Sequence, residues 1–388
     1  KPLAIERPSN LRLAEMLSVA MTEHVPEEYG DIVAAGMGYD LEPTAEAAIA
    51  ADKTAIVIGG GVSGICACFE LGKLGIDYTL FEKNEDFGGT WFENRYPGCG
   101  VDTPSLTYTF SCRPNDWSMY FPLRDEIEGY LLDTAREFGL YDKARFRTHV
   151  EEARWNTATD QWDVTITTPD GKRETHSADY LFSAVGILNI PKYPQIDGLD
   201  EFAGEVYHTS RWPAEADLSG KRVAVIGNGA SGMQVAPAIA DEVSRMTIFA
   251  RSKQWAAPFP QFRKKVPEGV RYLMQVVPLY RAWLEQRLSW TFNDRVHGTL
   301  FRDPEWEHPE RAVNEINDAH RRVFTRYVEE QLQDRPELIE RVLPEYPPFA
   351  KRMLLDNGCE EDYHWWQDDG DEPDTWSEED GDVEADVL

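Results

Sequence analysis

The sequence lacks the features of several protein classes. No run of 18 apolar residues occurs in its 388 positions, so it predicts no membrane-spanning helix. It has only five cysteines, an odd number, and no two of them form a C-x-x-C pair. This argues against a disulfide scaffold and a structural zinc site, and we expect no metal. Unpaired cysteines are typical of a reducing compartment, so the sequence predicts a cytoplasmic protein.

Positive charge is also scarce. Asp and Glu number 69 against 39 Lys and Arg, which gives a formal net charge of −30. Such a surface repels nucleic acid and anionic membranes, so neither is an expected partner. Residues 359–388 hold 14 acidic residues and no Lys or Arg, and they predict an acidic disordered tail. The remaining acidity suits either a high-salt cytoplasm or an ordinary acidic protein.

The first glycine motif follows a predicted buried strand. Residues 54–58 (TAIVI) predict that strand, Gly59-x-Gly61-x-x-Gly64 opens a predicted helix, and the next predicted strand ends at Glu82. In such a unit the glycines permit a tight turn, a close approach to a pyrophosphate and close helix–strand packing. The acidic residue binds a ribose hydroxyl. The pattern predicts a dinucleotide site.

A second unit of the same kind begins with the predicted strand KRVAVIG. Its turn is Gly227-x-Gly229-x-x-Gly232, and Arg251 and Ser252 stand where an acidic residue would end the next strand. A carboxylate would repel a ribose 2′-phosphate, whereas an arginine would bind it. The second nucleotide is therefore predicted to be NADP.

Two such units predict an α/β fold with two Rossmann-like dinucleotide-binding domains of the three-layer ββα/βα type. The first domain is expected at 51–190 and the second at 191–358. A helical insertion is expected at about 262–340 within the second domain, and an N-terminal helical extension at 1–50.

Further elements are predicted from local patterns. Ser9 is expected to cap a helix with Leu13, Leu17 and Met21 along one side. Strands are expected around 160–168 and 179–185 as the α/β alternation continues. Within the insertion, apolar residues recur at helical spacing at Val313, Ile316, Val323, Phe324, Tyr327 and Val328.

The stretch FAGEVYHTSRWP, residues 202–213, lies between the two glycine motifs. It resembles the F-x-G-x-x-x-H-T-x-x-W-P fingerprint of flavin-dependent Baeyer–Villiger monooxygenases. The matching positions are Phe202, Gly204, His208, Thr209, Trp212 and Pro213. GGTWFENRYPGCGVD is similar to that family's segment after the first unit, and the resemblance runs from about Thr54 to Gly358. Related N- and S-oxygenating enzymes usually lack the threonine and the Trp-Pro ending.

The resemblance implies FAD and NADPH as cofactors, and a small-molecule ketone and O2 as substrates. NADPH would reduce FAD, and O2 would give a flavin peroxide that converts the ketone to an ester or lactone. The N-terminal segment is similar to that of longer members that oxidise aryl ketones. Two alternatives stay open: an N- or S-oxygenating flavin enzyme, and a non-catalytic nucleotide-binding remnant.

The resemblance also implies roles for individual residues. Arg352 would lie at the catalytic centre with Asp102 orienting it, and Lys351 would contact the 2′-phosphate. His208 would form a hydrogen bond across the linker between the domains and couple their motion, rather than act as a base. The other implied cofactor contacts are Ser63, Gly89, Thr90, Trp91, Asp102, Tyr108, the backbone of Val150, and Ser231.

Past Gly358 the resemblance ends, whereas the family continues with a segment that returns to the flavin domain. This predicts a C-terminally truncated or altered member, with that return segment missing. Such a chain is expected to bind FAD poorly and to oxygenate ketones weakly or not at all. A homodimer is left open.

Overall fold

A computed structural model describes residues 5–39 and 52–355 of the chain. The predicted disordered tail at 359–388 lies outside these residues. The helices are α1 (Asn10–Met21), α2 (Tyr29–Gly36), α3 (Val62–Lys73), α4 (Thr90–Glu93), α5 (Arg124–Glu137), α6 (Ala230–Ile239), α7 (Glu268–Val276), α8 (Tyr280–Ser289), α9 (Arg295–His297), α10 (Glu315–Gln331) and α11 (Ile339–Val342). The strands are β1 (Thr54–Ile58), β2 (Asp77–Phe81), β3 (Ala144–Arg145), β4 (His149–Asn156), β5 (Gln161–Thr167), β6 (Arg173–Ala178), β7 (Tyr180–Ser183), β8 (Arg222–Ile226), β9 (Arg245–Phe249), β10 (Ala256–Ala257) and β11 (Leu354–Leu355).

The first unit is built on a parallel sheet with the strand order β3-β2-β1-β7. The turn between β1 and α3 needs glycine at two positions. Gly59 has a φ of +105°, and a Cβ on Gly64 would lie 1.8 Å from the Gly59 carbonyl oxygen. The predicted strand, glycine turn, helix and second strand are all present, with β2 ending at Phe81, one residue before the predicted end.

A three-stranded antiparallel sheet, β4-β5-β6, is inserted before β7. The strand predicted around 160–168 is present as β5, but it belongs to this separate sheet rather than to the α/β alternation. The strand predicted at 179–185 is β7, and it pairs parallel with β1. The short connections on either side of β5 explain the difference, because a parallel pairing needs a crossover of a dozen or more residues.

The second unit contains the parallel pair β8–β9 with α6 between its strands. Its helix packs directly on the first unit: Val235 and Ile239 of α6 lie in the same buried cluster as Val57, Trp91 and Tyr96. The two units therefore share one hydrophobic core, which brings residues of α6 against the segment that follows Trp91.

The N-terminal helices pack on the helical insertion. Ser9 caps α1 as predicted, because its side chain accepts a hydrogen bond from the backbone N–H of Arg12, and the predicted apolar side of α1 is buried. This side packs against Trp290, in the π-helical turn after α8. The helix that this spacing predicts is present as α10, but Ile316 and Val323 on it are 50% and 55% exposed. The buried stripe of α10 instead begins with the polar Asn317 and continues through residues at helical spacing.

Candidate cofactor sites and the centre between them

Glu82 is fixed beside the first glycine turn. Its carboxylate is buried directly after β2, where one oxygen accepts a hydrogen bond from the Gly60 N–H at 2.5 Å. The other oxygen accepts from the Asn84 N–H at 2.8 Å. The parallel pairing of β1 with β2 places the turn and the carboxylate at the same edge of the sheet. A carboxylate at this edge of the sheet could accept hydrogen bonds from the hydroxyls of a nucleotide ribose.

The first glycine turn touches the GGTW segment through backbone alone. Gly89 has a φ of +54°, and a Cβ added there would lie 2.7 Å from the Cα of Gly61. The N–H of Gly88 also donates to the Gly60 carbonyl at 3.0 Å. No side chain larger than hydrogen fits between these segments, so the start of α3, with Ser63 exposed in its first turn, stays open to a phosphate-bearing ligand.

Trp91 and Tyr108 form a hydrogen-bonded aromatic pair. The indole N–H of Trp91 donates to the Tyr108 hydroxyl at 2.9 Å, and the rings meet edge to face. Burial raises the pKa of Tyr108, and the Asp102 carboxylate nearby raises it further. Thr90 is exposed at the start of α4, next to this pair. The predicted flavin contacts Thr90, Trp91, Asp102 and Tyr108 are therefore brought close together.

Val150 lies in β4 at the point where its register with β5 shifts. Val150 is two residues from Thr148, whose backbone N–H donates to the backbone carbonyl of Glu82 at 2.9 Å. The position suits the backbone contact that the family resemblance implies, and that contact stays a prediction.

The second glycine turn repeats the geometry of the first. Gly227 has a φ of +103°, and a Cβ on Gly232 would lie 2.4 Å from the Gly227 carbonyl oxygen. Among the described residues, and apart from Gly229 and its chain neighbours, no heavy atom lies within 4 Å of where a Cβ on Gly229 would be. Asn228 ties the turn to the loop after β9 by donating from its side chain to the Ser252 carbonyl at 3.0 Å. Ser231 lies in the first turn of α6, two residues after Gly229.

The three residues predicted to bind the 2′-phosphate come from two distant parts of the chain. The Nζ of Lys351 donates to the Ser252 hydroxyl at 2.7 Å and lies 4.6 Å from the centroid of the Tyr346 ring. Arg251 is exposed, directly before Ser252. A lysine, an arginine and a hydroxyl at one open position are suited to a phosphate dianion.

Asp102 and Arg352 form an ion pair. A guanidinium nitrogen of Arg352 donates to a carboxylate oxygen of Asp102, although the two residues are 250 positions apart. Arg352 is 57% exposed and Asp102 is 27% exposed, so the pair faces solvent on one side. The pair joins the Tyr108 side of the first unit to the Lys351 side of the second.

The sequence interpretation missed Gln234, which joins the two units. Its side-chain oxygen accepts from the Tyr96 hydroxyl at 2.7 Å, and its side-chain nitrogen donates to the Gly100 carbonyl at 2.9 Å. Gln234 is buried in α6, and a Cβ on Gly98 would lie 2.3 Å from its carbonyl oxygen. A single amide within the apolar run MQVAPAI was the signal that could have found it.

The fingerprint histidine makes short-range contacts. His208 Nδ1 accepts from the Ser210 N–H at 3.1 Å. Burial lowers the pKa of His208, the nearby Arg211 lowers it further, and a hydrogen bond with the Lys192 backbone opposes both. The Lys192 contact reaches the start of the predicted second domain, whereas the coupling of domain motion stays a prediction.

The rest of the fingerprint lies on either side of this histidine. Trp212 packs edge to face on Tyr207 with ring centroids 5.5 Å apart, beside the shared core. Phe202 is 60% exposed, and a Cβ on Gly204 would lie 2.5 Å from its ring. Thr209 begins a single 3-10 turn. Among the described hydrogen bonds and ion pairs, none joins the six fingerprint residues to the Asp102–Arg352 pair.

Arg211, within the fingerprint stretch, ties that stretch to the first unit. Its guanidinium lies 3.3 Å from the Glu93 carboxylate at the end of α4. Glu93 is buried and also receives Lys83 at 2.8 Å and the side chain of Asn84 at 3.1 Å. Burial by itself would raise the pKa of Glu93, but these partners outweigh it and hold that pKa below its usual range. Glu93 therefore stays charged.

Residues 5–39 and 52–355 contain neither a cluster of metal-ligating side chains nor a helix suited to crossing a membrane. No group of three metal-ligating side chains comes together there. No helix in the same ranges combines the length and apolar composition that crossing a membrane requires.

Comparison with known proteins gives a consistent result. Residues 51–299 match the model of the family described as flavin-binding monooxygenase-like. An uncharacterized monooxygenase of Sinorhizobium fredii is 44% identical over 362 residues, which are 92% of this chain and 54% of that protein. A Baeyer–Villiger monooxygenase of Streptomyces coelicolor is 35% identical over 301 residues, 77% of this chain and 54% of that protein.

A solved structure shows the same likeness. Cyclohexanone monooxygenase from Rhodococcus, bound to NADP+, matches with a TM-score of 0.63 and 30% identity, over 79% of this chain and 62% of the other. This confirms the predicted α/β fold with two Rossmann-like domains. The chain spans about half the length of the curated relatives it matches. The resemblance to Baeyer–Villiger monooxygenases predicted from the sequence is confirmed, and this chain belongs to the flavin-binding monooxygenase-like family.

Proposed function

We propose that this chain supplies the nucleotide-binding part of an FAD- and NADPH-dependent Baeyer–Villiger monooxygenase. The reaction would insert one oxygen atom of O2 beside a ketone carbonyl and give an ester or lactone. The observation that carries the proposal is the Asp102–Arg352 pair. It forms between the segment near Tyr108 and the residue after Lys351, in a chain that has two glycine turns of the dinucleotide type. Because the chain spans about half of its relatives, the activity of the whole protein is part of the proposal.

The first site would hold FAD, in the domain proposed at 51–190. The fit rests on the close backbone contact between Gly61 and Gly89, which a side chain on Gly89 would disrupt, and on the fixed Glu82 carboxylate. The start of α3 would receive the pyrophosphate, and Trp91 with Tyr108 would contact the ring system. When bound, FAD would accept hydride from NADPH and activate O2.

The second site would hold NADPH, in the domain proposed at 191–358. The open space around Gly229 fits a pyrophosphate, and the cluster of Arg251, Ser252 and Lys351 fits a 2′-phosphate. An NADH-type site would place a carboxylate at the end of β9, where Arg251 and Ser252 follow instead. The Rhodococcus relative was solved with NADP+ bound.

The pair between the sites would supply a fixed positive charge. The guanidinium of Arg352 can stabilise negative charge that develops on the ketone oxygen. Asp102 would hold the guanidinium in one orientation and offset its charge before substrate binds. A mobile cation would have to reorient during the reaction, whereas a guanidinium that is already oriented would not.

Three measurements on the purified chain test this function. The first is FAD binding, followed by the visible flavin spectrum and the FAD-to-protein ratio. The second is NADPH oxidation with and without a panel of cyclic and aryl ketones. The third is product identification with a ketone and a thioether offered in parallel. As the sequence predicts, this chain is expected to bind FAD weakly and to turn over ketones slowly, and an ester or lactone is the expected product of that turnover. Oxidation of the thioether alone, or no flavin binding at all, would contradict the proposal.

A further inference from the structure

Arg263 reaches from the helical insertion into the first unit. One of its guanidinium nitrogens, Nη1, donates towards three backbone carbonyls: Val101 at 3.2 Å, Phe121 at 3.1 Å and Pro122 at 3.3 Å. Val101 immediately precedes Asp102. Arg263, a residue of the insertion, therefore holds the peptide that leads into Asp102.

The charge of Arg263 is buried and incompletely paired. Its other terminal nitrogen, Nη2, is inaccessible to solvent and has no hydrogen-bond partner among the described residues. Burial lowers the pKa of Arg263 to about 10, while Cys99, Asp102 and Tyr96 favour its charged form. Asp102 is the one carboxylate in that set. A buried cation without a close carboxylate is costly, so its retention calls for a reason beyond packing.

The surrounding backbone is shaped to accept this side chain. A Cβ on Gly100 would lie 2.3 Å from Arg263 Nη1 and 2.8 Å from its Nη2, so a side chain there would displace the guanidinium from its place. Arg263 itself has a φ of +58°, in the left-handed region that non-glycine residues rarely adopt. Both features place the guanidinium against the segment that leads to Asp102.

We propose that Arg263 is a positioning residue for Asp102. It fixes the peptide before Asp102 and supplies a second positive charge, so that one carboxylate lies between a buried cation, Arg263, and an exposed one, Arg352. The role of the Asp102–Arg352 pair in catalysis rests on the proposed function. The coupling between Arg263 and Asp102 does not rest on it and can be measured without turnover.

The coupling predicts a specific non-additivity. In the native chain, Asp102→Asn removes the carboxylate that offsets both cations and leaves Arg263 buried without any. In an Arg263→Met background the same change removes only the partner of Arg352, which is mostly exposed, and exposed pairs contribute little. Asp102→Asn should therefore destabilise the native chain more than it destabilises the Arg263→Met chain.

The experiment is a double-mutant cycle on the full chain, followed by urea unfolding. The variants are Arg263→Met, Asp102→Asn and the double variant, with Arg271→Met as a control because Arg271 pairs with Asp116 at the surface. The urea-midpoint shift caused by Asp102→Asn is expected to be at least twofold smaller in the Arg263→Met background. The shift should be unchanged in the Arg271→Met background. Equal shifts in all backgrounds would overturn the proposal.

A second arm covers poor folding and links the residue to turnover. If Arg263→Met does not fold, the uncharged variant Arg263→Gln and its combination with Asp102→Asn replace it under the same criterion. In chains that oxidise NADPH with a ketone, Arg263→Met should lower kcat about tenfold with little change in KM for NADPH, and Arg263→Lys should restore part of it. An unchanged kcat would overturn the positioning role. A chain with no turnover would agree with the weak activity expected of it, and the unfolding cycle alone would then decide this inference.

Discussion

Lys351 Nζ donates a hydrogen bond to the Ser252 hydroxyl at 2.7 Å, although 99 residues separate them. Ser252 follows the strand of the second unit, and Lys351 is next to Arg352 in the chain. The contact therefore joins the predicted 2′-phosphate position to the candidate catalytic arginine. A nucleotide bound at this position would contact Ser252 and Lys351, the neighbour of Arg352 in the chain.

The first prediction concerns nucleotide choice. Lys351→Ala should weaken NADPH binding about tenfold, because a charge-assisted contact to the 2′-phosphate is lost. Binding of NADH, which has no such phosphate, should change little. Isothermal titration with both nucleotides measures this, with the exposed Lys264→Ala as the matched control. An equal loss for both nucleotides would place Lys351 elsewhere in the site.

The second prediction concerns the Asp102–Arg352 pair. Asp102→Asn and Arg352→Lys should each lower ketone-dependent turnover by about a hundredfold or more, since a preorganised charge is lost or misoriented. FAD and NADPH binding should remain. The check is single-turnover product formation beside nucleotide titrations. Full turnover in Arg352→Lys would show that turnover does not need a guanidinium at this position.

The third prediction concerns Glu82. Glu82→Ala should reduce FAD affinity, and it should also destabilise the chain by about 1–3 kcal/mol, because the Gly60 N–H loses its buried acceptor. Quenching of flavin fluorescence and urea unfolding measure the two effects. The neighbouring exposed Glu85→Ala serves as the control. Unchanged FAD affinity would remove Glu82 from the ribose position.

The fourth prediction is a pH dependence caused by Glu93. Its pKa lies below the ordinary value in the folded chain, so its charge stabilises the fold above the unfolded-state pKa of about 4.3. This stabilisation is lost as the pH falls through the lower folded-state value. Glu93→Gln should cost about 2 kcal/mol at pH 7, and the difference from the native chain should shrink in acid.

Urea unfolding of both chains between pH 7 and pH 3 measures this dependence. Glu137→Gln is the control, because Glu137 pairs with Arg113 while remaining 60% exposed. Faster hydrogen exchange of residues 208–213 in the Glu93→Gln chain would show that the Arg211 contact also holds the fingerprint stretch. A constant difference between the native and Glu93→Gln chains at all pH values would contradict the assignment.

Local rules explain where the sequence predictions succeeded. A strand, a turn with obligatory glycines and a helix are set by neighbouring residues, so both glycine units were predicted close to their observed bounds. Ser9 and the apolar side of α1 follow the same local logic. The apolar spacing did not identify the buried face of α10, because Ile316 and Val323 are exposed. The buried stripe begins with Asn317, a polar residue that resembles a surface position in sequence.

The sequence by itself determined two dinucleotide-type units, their order, and a fingerprint between them, since each depends on contacts within a few tens of residues. Only the tertiary structure decided how the units meet. Gln234 on Gly100, Arg263 beside Asp102 and Lys351 on Ser252 join positions that are 134, 161 and 99 residues apart. These pairings depend on how the two units pack around one shared core, so no pattern among neighbouring residues predicts them.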